Sequence, residues 1–547
     1  MSYIGVDIDN TLIDYDMAFL AATKSLKISL PPSIQTKKQI SEYVKQQPTG
    51  EKKWQKLQGI AYGKYLKDYA KLYPGVKRFF WRCTQHRHKV IAISHKTEYG
   101  HMDDKRFLLR DEARNFLERQ NLIRKKNSPL YKVIFKNNQR EKISCIFDHE
   151  FEWFIDDLPE IVEELNKLNK FKIIYFNPLN DNHYTETSNG ITTLSDWQQI
   201  DSLINGEWTS SEINQLSKQI INKEAREIEK ISTGGNSAIF KLTMDNEKVL
   251  KLKIYSIDAN HDRLASEFYA TKYLSEICNY VNTPINKDDG LAVGIFDWIE
   301  GNTINGINQN DINLCLKFLK ELDDIKNEPQ FTNLPLASGA CLGGSDIECQ
   351  INDRLKILLN SNNNSSDLNL FLKNKFIPHS REILNWSKQN WPSDIGFNKK
   401  IPRSQQILSP SDFGFHNAIR RSDGSLAFLD FEYFGWDDPV KLICDFILHP
   451  GMNLTDEQIR AWINNSLELY GKHLDQRLNI CMPLYGLIWC LILLNEYNPQ
   501  FWQRRLMANT QIESMQEEKL SHQLRKANSL LNKIVNNYNE PVGNTFY

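Results

Sequence analysis

The chain has 547 residues, with 67 Lys and Arg against 68 Asp and Glu and a formal net charge of −1. At about 150 residues per domain the length allows three or four packed units, and the balanced charge excludes a global field drawing the protein to nucleic acid or an anionic membrane. Hydrophobic residues at 41% and charged residues at 25% exclude a disordered chain and a polytopic membrane protein. The nine cysteines (Cys83, Cys145, Cys278, Cys315, Cys341, Cys349, Cys444, Cys481 and Cys490) have no CxxC or Cys/His spacing suited to zinc. They read as reduced thiols of a cytoplasmic protein. No basic-then-apolar leader opens the chain. The longest apolar run, Met482 to Leu494, is shorter than the ~18 to 20 residues that cross a bilayer and reads as a buried core helix.

In chain order, residues 1–204 alternate β-rich runs with helical stretches: YIGVDI (Tyr3 to Ile8), KVIAIS (Lys89 to Ser94), YKVIF (Tyr131 to Phe135), FEWFID (Phe151 to Asp156) and FKIIYF (Phe171 to Phe176). Such alternation predicts a parallel α/β sheet covered on both faces. An insert at about residues 14–75, rich in Lys, Gln and Tyr, has helical periodicity and is expected to cap the sheet edge. Composition shifts at NGEWTSS, so a boundary is expected near residue 205, with residues 205–224 as linker and polar helix. Residues 225–540 form the next domain: strand, Gly loop, strand, turn and strand, then helical periodicity from about Asn310, interrupted near Ile407 to Phe434. The polar stretch Asn360 to Asp367 reads as an exposed loop.

The segment DIDNT places Asp7 and Asp9 where the first strand leaves the sheet, the usual place for a ligand crevice. Ser94 ends the second strand, Lys142 precedes a short ISCIF run, and Asp156 and Asp157 close FEWFIDD. In this order the residues resemble the haloacid-dehalogenase-like phosphatase superfamily, over about residues 1–204. The resemblance implies a Rossmannoid fold with a small helical cap, Asp7 as nucleophile and Asp9 as acid and base. Ser94 and Lys142 would hold the phosphoryl oxygens, with Lys132 and Lys136 as alternatives to Lys142. A Mg²⁺ ion would sit among Asp7, Asp9, Asp156 and Asp157. The chemistry suits these residue types, because a carboxylate approaches a phosphoryl group only when cations neutralise its oxygens.

In the second domain, STGGNSAIF carries Thr233, Gly234, Gly235, Asn236 and Ser237, a glycine turn whose N–H groups can approach phosphate. Lys251 and Lys253 lie on one strand face, and Glu267 follows on a helix. Downstream, SPSDFGFHNAI and AFLDFEYFGWDDP place Asp412, Asn417 and Asp430 in the order base, metal amide, metal carboxylate. This resembles the aminoglycoside phosphotransferase and choline kinase branch of the protein-kinase-like fold, a bilobal α+β domain, over about residues 225–535. The resemblance implies Asp412 as base, Asn417 and Asp430 as Mg²⁺ ligands, and Lys253 on the phosphates of ATP oriented by Glu267, with Lys251 as the fallback. Many relatives carry His-Gly before the base, where this chain has Pro410-Ser411. FDWIEG (Phe296 to Gly301) is the expected hinge.

The two resemblances imply a bifunctional enzyme, a Mg²⁺-dependent phosphatase joined to an ATP-dependent kinase of a sugar or polyol phosphate. Its partners are a small-molecule phosphate ester and a hydroxyl acceptor, with no nucleic acid and no membrane; the sequence assigns no oligomeric state. The competing readings are an antibiotic-modifying phosphotransferase and a nucleic-acid end-processing enzyme. The second lacks a GxxxxGK[ST] segment.

Overall fold

The computed structural model describes residues 2–100, 106–124, 126–179, 190–231, 237–258, 261–361, 365–499, 501–502, 505 and 516–542. The chain forms two compact units, Met1–Ile213 and Asn214–Tyr547, fewer than its length allows. The first unit extends beyond residue 205 because a buried arginine claims the next segment. Arg82 donates to the carbonyls of Gly206 and Glu207, each at 3.0 Å, and to Glu212 Oε1 at 2.8 Å. Ordering a chain around three such bonds keeps it from behaving as a linker.

The first unit is built on six parallel strands. In spatial order they are Leu130–Lys136, Lys89–His95, Tyr3–Val6, Trp153–Asp156, Lys172–Phe176 and Ile191–Leu194. The last strand, ITTL, is too short and too polar to stand out in the sequence. Alternate side chains go to opposite faces: Ile4, Val6, Val90, Ala92, Ile155 and Ile174 join one apolar core. Ile91, Ile93, Phe154 and Ile173 join another. Gly5 is required at the centre, since a Cβ there would lie 2.3 Å from the Phe154 ring.

The insert folds as helices Asp16–Ser25, Lys37–Lys45, Gly50–Tyr62 and Leu66–Tyr69. Thr36 and Gln39 form a capping box that starts the second of these. ISCIF completes helix Gln139–Phe147, whose cap Asn138 accepts from Glu141 N.

The second unit begins with a five-stranded antiparallel sheet. Its spatial order is Pro284–Asp288, Val293–Asp297, Val249–Ile254, Ala238–Met244 and Ala225–Ile231. Helix Arg263–Ile277 follows the third strand in sequence, and the rest of the unit is mainly helical. The segment Lys472–Tyr497 is long and apolar enough by length and composition to cross a membrane, with mean hydropathy 1.8, and 78% of its apolar window is buried inside the protein. Its side chains, including Met482, Leu484, Leu487 and Leu491, belong to the largest apolar core.

Candidate active sites

In the first unit, two paired parallel strands, Tyr3–Val6 and Trp153–Asp156, deliver the acidic residues to one edge. Asp7 follows Val6, and its backbone N–H donates to Ile155 O at 2.9 Å, so the first and fourth strands in sequence leave the sheet together. Lys142, wholly buried, bridges Asp7 Oδ1 and Asp156 Oδ2, each at 2.6 Å. It is therefore Lys142 that reaches the acids, while Lys132 and Lys136 lie on strand Leu130–Lys136, the first of them exposed. Asp157 accepts from Thr11 Oγ1 at 3.1 Å and Asn10 Nδ2 at 3.3 Å.

One carboxylate oxygen from each of Asp7, Asp156 and Asp157 lies within 4.8 Å of the others. Burial, then the repulsion of Asp7 on Asp157, pushes Asp157 up to about 8; burial pushes Asp156 up to about 6 against the pull of Lys142. A cluster of hard oxygen donors that resists its own ionisation fits a Mg²⁺ ion. Asp9 does not join it. Its carboxylate pairs with Lys96 Nζ at 2.7 Å and accepts from Tyr15 OH at 2.5 Å, contacts that outweigh its burial and hold it below the usual carboxylate range. Ser94 is buried on the strand beside Asp7, and its Oγ has no hydrogen-bond partner among the described residues.

Sequence reasoning missed Lys96 and Lys37. Lys96 stands two residues past Ser94 and Lys37 opens a cap helix, where its Nζ donates to Asn10 Oδ1 at 2.9 Å. Both ammonium groups lie within 6 Å of the Tyr15 and Tyr62 ring centres, as cation–π pairs do. Among so many surface lysines, no local pattern marks either one.

In the second unit, Lys251 and Lys253 share a strand face and both reach the fully buried Glu267. The distances are 3.1 Å to Oε1 and 2.6 Å to Oε2. Lys253 also meets Asp430 Oδ1 at 2.6 Å and Glu432 Oε2 at 3.3 Å, so sheet, helix and downstream loop converge on one ammonium. Its surroundings hold Lys253 well above the ordinary lysine range despite burial. Glu267 is buried too, yet the two lysines bring it down to about 2. Burial pushes Asp430 up to about 6.

Asp430 has φ of +66°, and Ser411, before Asp412, has φ of +68°. Left-handed non-glycine residues cost of order 1–3 kcal/mol and gather at working sites. Asn417 Nδ2 donates to Asp412 O at 2.9 Å and to Asp412 Oδ2 at 3.3 Å. Leu429 N donates to Asn417 O at 2.8 Å, which sets Asp430 beside Asn417. One carboxylate oxygen from each of Glu267, Asp430 and Glu432 lies within 4.8 Å of the others, a set of hard donors of the kind that binds Mg²⁺. Ser237 is buried with its Oγ unpartnered among the described residues. Thr233, Gly234, Gly235 and Asn236 lie outside them.

Glu432 was a third omission. Buried and paired with Arg263 as well as Lys253, it stands two residues after Asp430, a spacing that was visible but unused. Asp437 and Asp438 hold the fold. Asp438 caps helix Pro439–Leu448 through Val440 N and pairs with Arg477, while Asp437 accepts from Cys341 N at 3.2 Å.

No protein-family model matches the chain, and no curated protein does. Solved structures do. A choline kinase from Cryptosporidium parvum Iowa II is similar at 15% identity over 57% of this chain and 93% of its own, with a TM-score of 0.37. Spectinomycin phosphotransferase APH(9)-Ia, in complex with ADP and spectinomycin, is similar at 11% identity over 58% and 98%, with a TM-score of 0.42. The gentamicin complex of APH(2")-IIa is similar at 18% identity over 60% and 97%, with a TM-score of 0.38.

Proposed function

We propose that the chain is a two-site phosphoryl-transfer enzyme: a small-molecule kinase using ATP in the second unit and a Mg²⁺-dependent phosphohydrolase of the haloacid-dehalogenase-like type in the first. The observation that carries the kinase reading is the convergence of Glu267 and Asp430 on Lys253, the arrangement that orients a nucleotide's phosphates. Asp412 accepts the proton of the acceptor hydroxyl, whose oxygen bonds to the γ-phosphorus as the bond to ADP breaks. Lys253 holds the nucleotide phosphates, and Asn417 and Asp430 would hold the metal, which neutralises phosphate charge when bound.

In the first unit, Asp7 attacks phosphorus and displaces the alcohol, forming an aspartyl phosphate. Asp9 gives its proton to the leaving oxygen and then takes one from the water that releases phosphate. For Asp9 to carry that proton, the Lys96 pair must loosen as substrate enters. Lys142 holds Asp7 toward the phosphoryl group, and Ser94 offers its free hydroxyl. Asp7, Asp156 and Asp157 would hold Mg²⁺, which supplies charge neutralisation there.

Two such sites acting on one hydroxyl would only hydrolyse ATP, so they serve different positions or successive intermediates of a sugar or polyol phosphate. An antibiotic acceptor is the competing reading. The test measures phosphate release from sugar phosphates and p-nitrophenyl phosphate, and ATP consumption with sugar phosphates, choline, spectinomycin and gentamicin. Transfer to spectinomycin or gentamicin alone would replace the sugar phosphate, and absence of both activities would overturn the proposal.

A further inference from the structure

Two imidazoles face the carboxylate assigned as the kinase base, and neither has a role in the scheme above. His416 Nε2 lies 3.1 Å from Asp412 Oδ1, and His449 Nε2 lies 4.0 Å from the same oxygen. The rings are stacked with centres 3.6 Å apart and planes 13° from parallel, and His449 meets the edge of Trp489 at 5.0 Å. The three side chains can be read as a metal site, since one ligand atom from each falls within 4.8 Å of the others. The far side of His449 argues otherwise.

Gly451 N donates to His449 Nδ1 at 3.1 Å. A metal-bound imidazole gives its second ring N–H to an acceptor, whereas here the second nitrogen faces a donor. That contact fixes the tautomer with the proton on Nε2, pointing toward Asp412. Burial, then the neighbouring His416, pushes His449 down to about 4, so it is neutral near pH 7.

We propose that His449 is a positioning residue for the phosphotransfer base: a neutral imidazole, locked by Gly451, that presents Nε2–H to Asp412 Oδ1 and backs the ring of His416. The role rests on the kinase reading of Asp412. Oδ1 meets His416 at 3.1 Å with His449 behind it at 4.0 Å, and Oδ2 accepts from Asn417, which sets the plane of the carboxylate before an acceptor arrives. The chain carries Pro410-Ser411 just before Asp412, so the imidazoles that face the base come from later positions. His416 comes from the same loop, and His449 from the end of helix Pro439–Leu448. Misplacing a reacting group by about 1 Å costs up to about 100-fold in rate.

The test uses the full chain and MgATP, with water and the acceptor panel above, and compares wild type with Asp412→Asn, His449→Phe and His449→Gln. His449→Phe keeps the ring stack but removes the N–H; His449→Gln restores a side-chain N–H. The expected result is a kcat about 10- to 100-fold lower for His449→Phe with KM for MgATP within about twofold, and partial recovery in His449→Gln. AMP-PNP binding is expected to stay unchanged in both. Ring ¹⁵N signals assigned to His449 should report an unprotonated Nδ1 and a protonated Nε2. A His449→Phe chain as active as wild type, or a protonated Nδ1, overturns the positioning role alone. A wild type without ATP turnover, or an Asp412→Asn chain that turns over normally, overturns the kinase reading and the role with it.

Discussion

Replacing Lys142 by Met tests the first site where its electrostatics are most exposed to failure. The side chain is wholly buried and, among the described residues, is the one cation bridging Asp7 and Asp156. Removing one partner from a buried ion pair costs about 3–5 kcal/mol, a large part of the roughly 5–15 kcal/mol that holds a domain folded. The cost should depend on pH. Without the lysine, Asp156 stays folded only by keeping its proton, whereas the unfolded chain loses that proton near pH ~3.9. The folded variant then binds more protons than the unfolded chain, so its stability falls by up to about 1.4 kcal/mol per pH unit. In the wild type Asp156 is ionised above about 6, so it adds no such slope there. The gap between the two proteins should therefore widen by about 2–3 kcal/mol between pH ~6.5 and ~8.5. Urea unfolding in EDTA, with hydrogen exchange read on peptides spanning Tyr3–Val6 and Trp153–Asp156, measures it. A gap below about 1 kcal/mol with no pH dependence would refute a lysine bridging two buried carboxylates.

Asp7→Asn should reduce phosphate release by at least about 1000-fold while leaving ATP consumption intact, and Asp412→Asn should do the reverse; paired assays on each variant check this. Glu267→Gln removes the buried carboxylate that Lys251 and Lys253 share and should raise KM for MgATP about 10-fold or more, read from initial rates. Because His449 is pushed down to about 4 while an unfolded histidine titrates near ~6.5, the folded state resists a proton that the unfolded chain accepts. Stability should fall as pH drops through that window, by about 3 kcal/mol in all, and His449→Gln should remove this component in urea unfolding of the second unit.

Much of both sites could be read from the sequence because chemistry-bearing residues follow strands in short, ordered segments. Asp7, Asp156 and Asp157 meet, and Lys253 reaches Glu267, the groupings that the two resemblances implied. Lys142 stayed one of three lysines on sequence alone, since only the helical course of residues 139–147 turns it inward. Asp9 was grouped with the metal acids because it stands two residues from Asp7; Lys96 and Tyr15, which draw it away, come from other elements. His449 lay in an apolar helix end with no motif to mark it.

What the sequence determined by itself was the order of elements and the residue types at their ends, since strand period, loop chemistry and acid spacing are local properties of the chain. Tertiary structure alone decided which lysine faces which carboxylate, where the first unit ends, and that two stacked imidazoles back Asp412. Those outcomes join residues far apart in the chain: Arg82 and Glu212, Lys253 and Asp430, Asp412 and His449. Burial makes each pairing consequential, because a charge removed from water must find its partner wherever the fold has placed one.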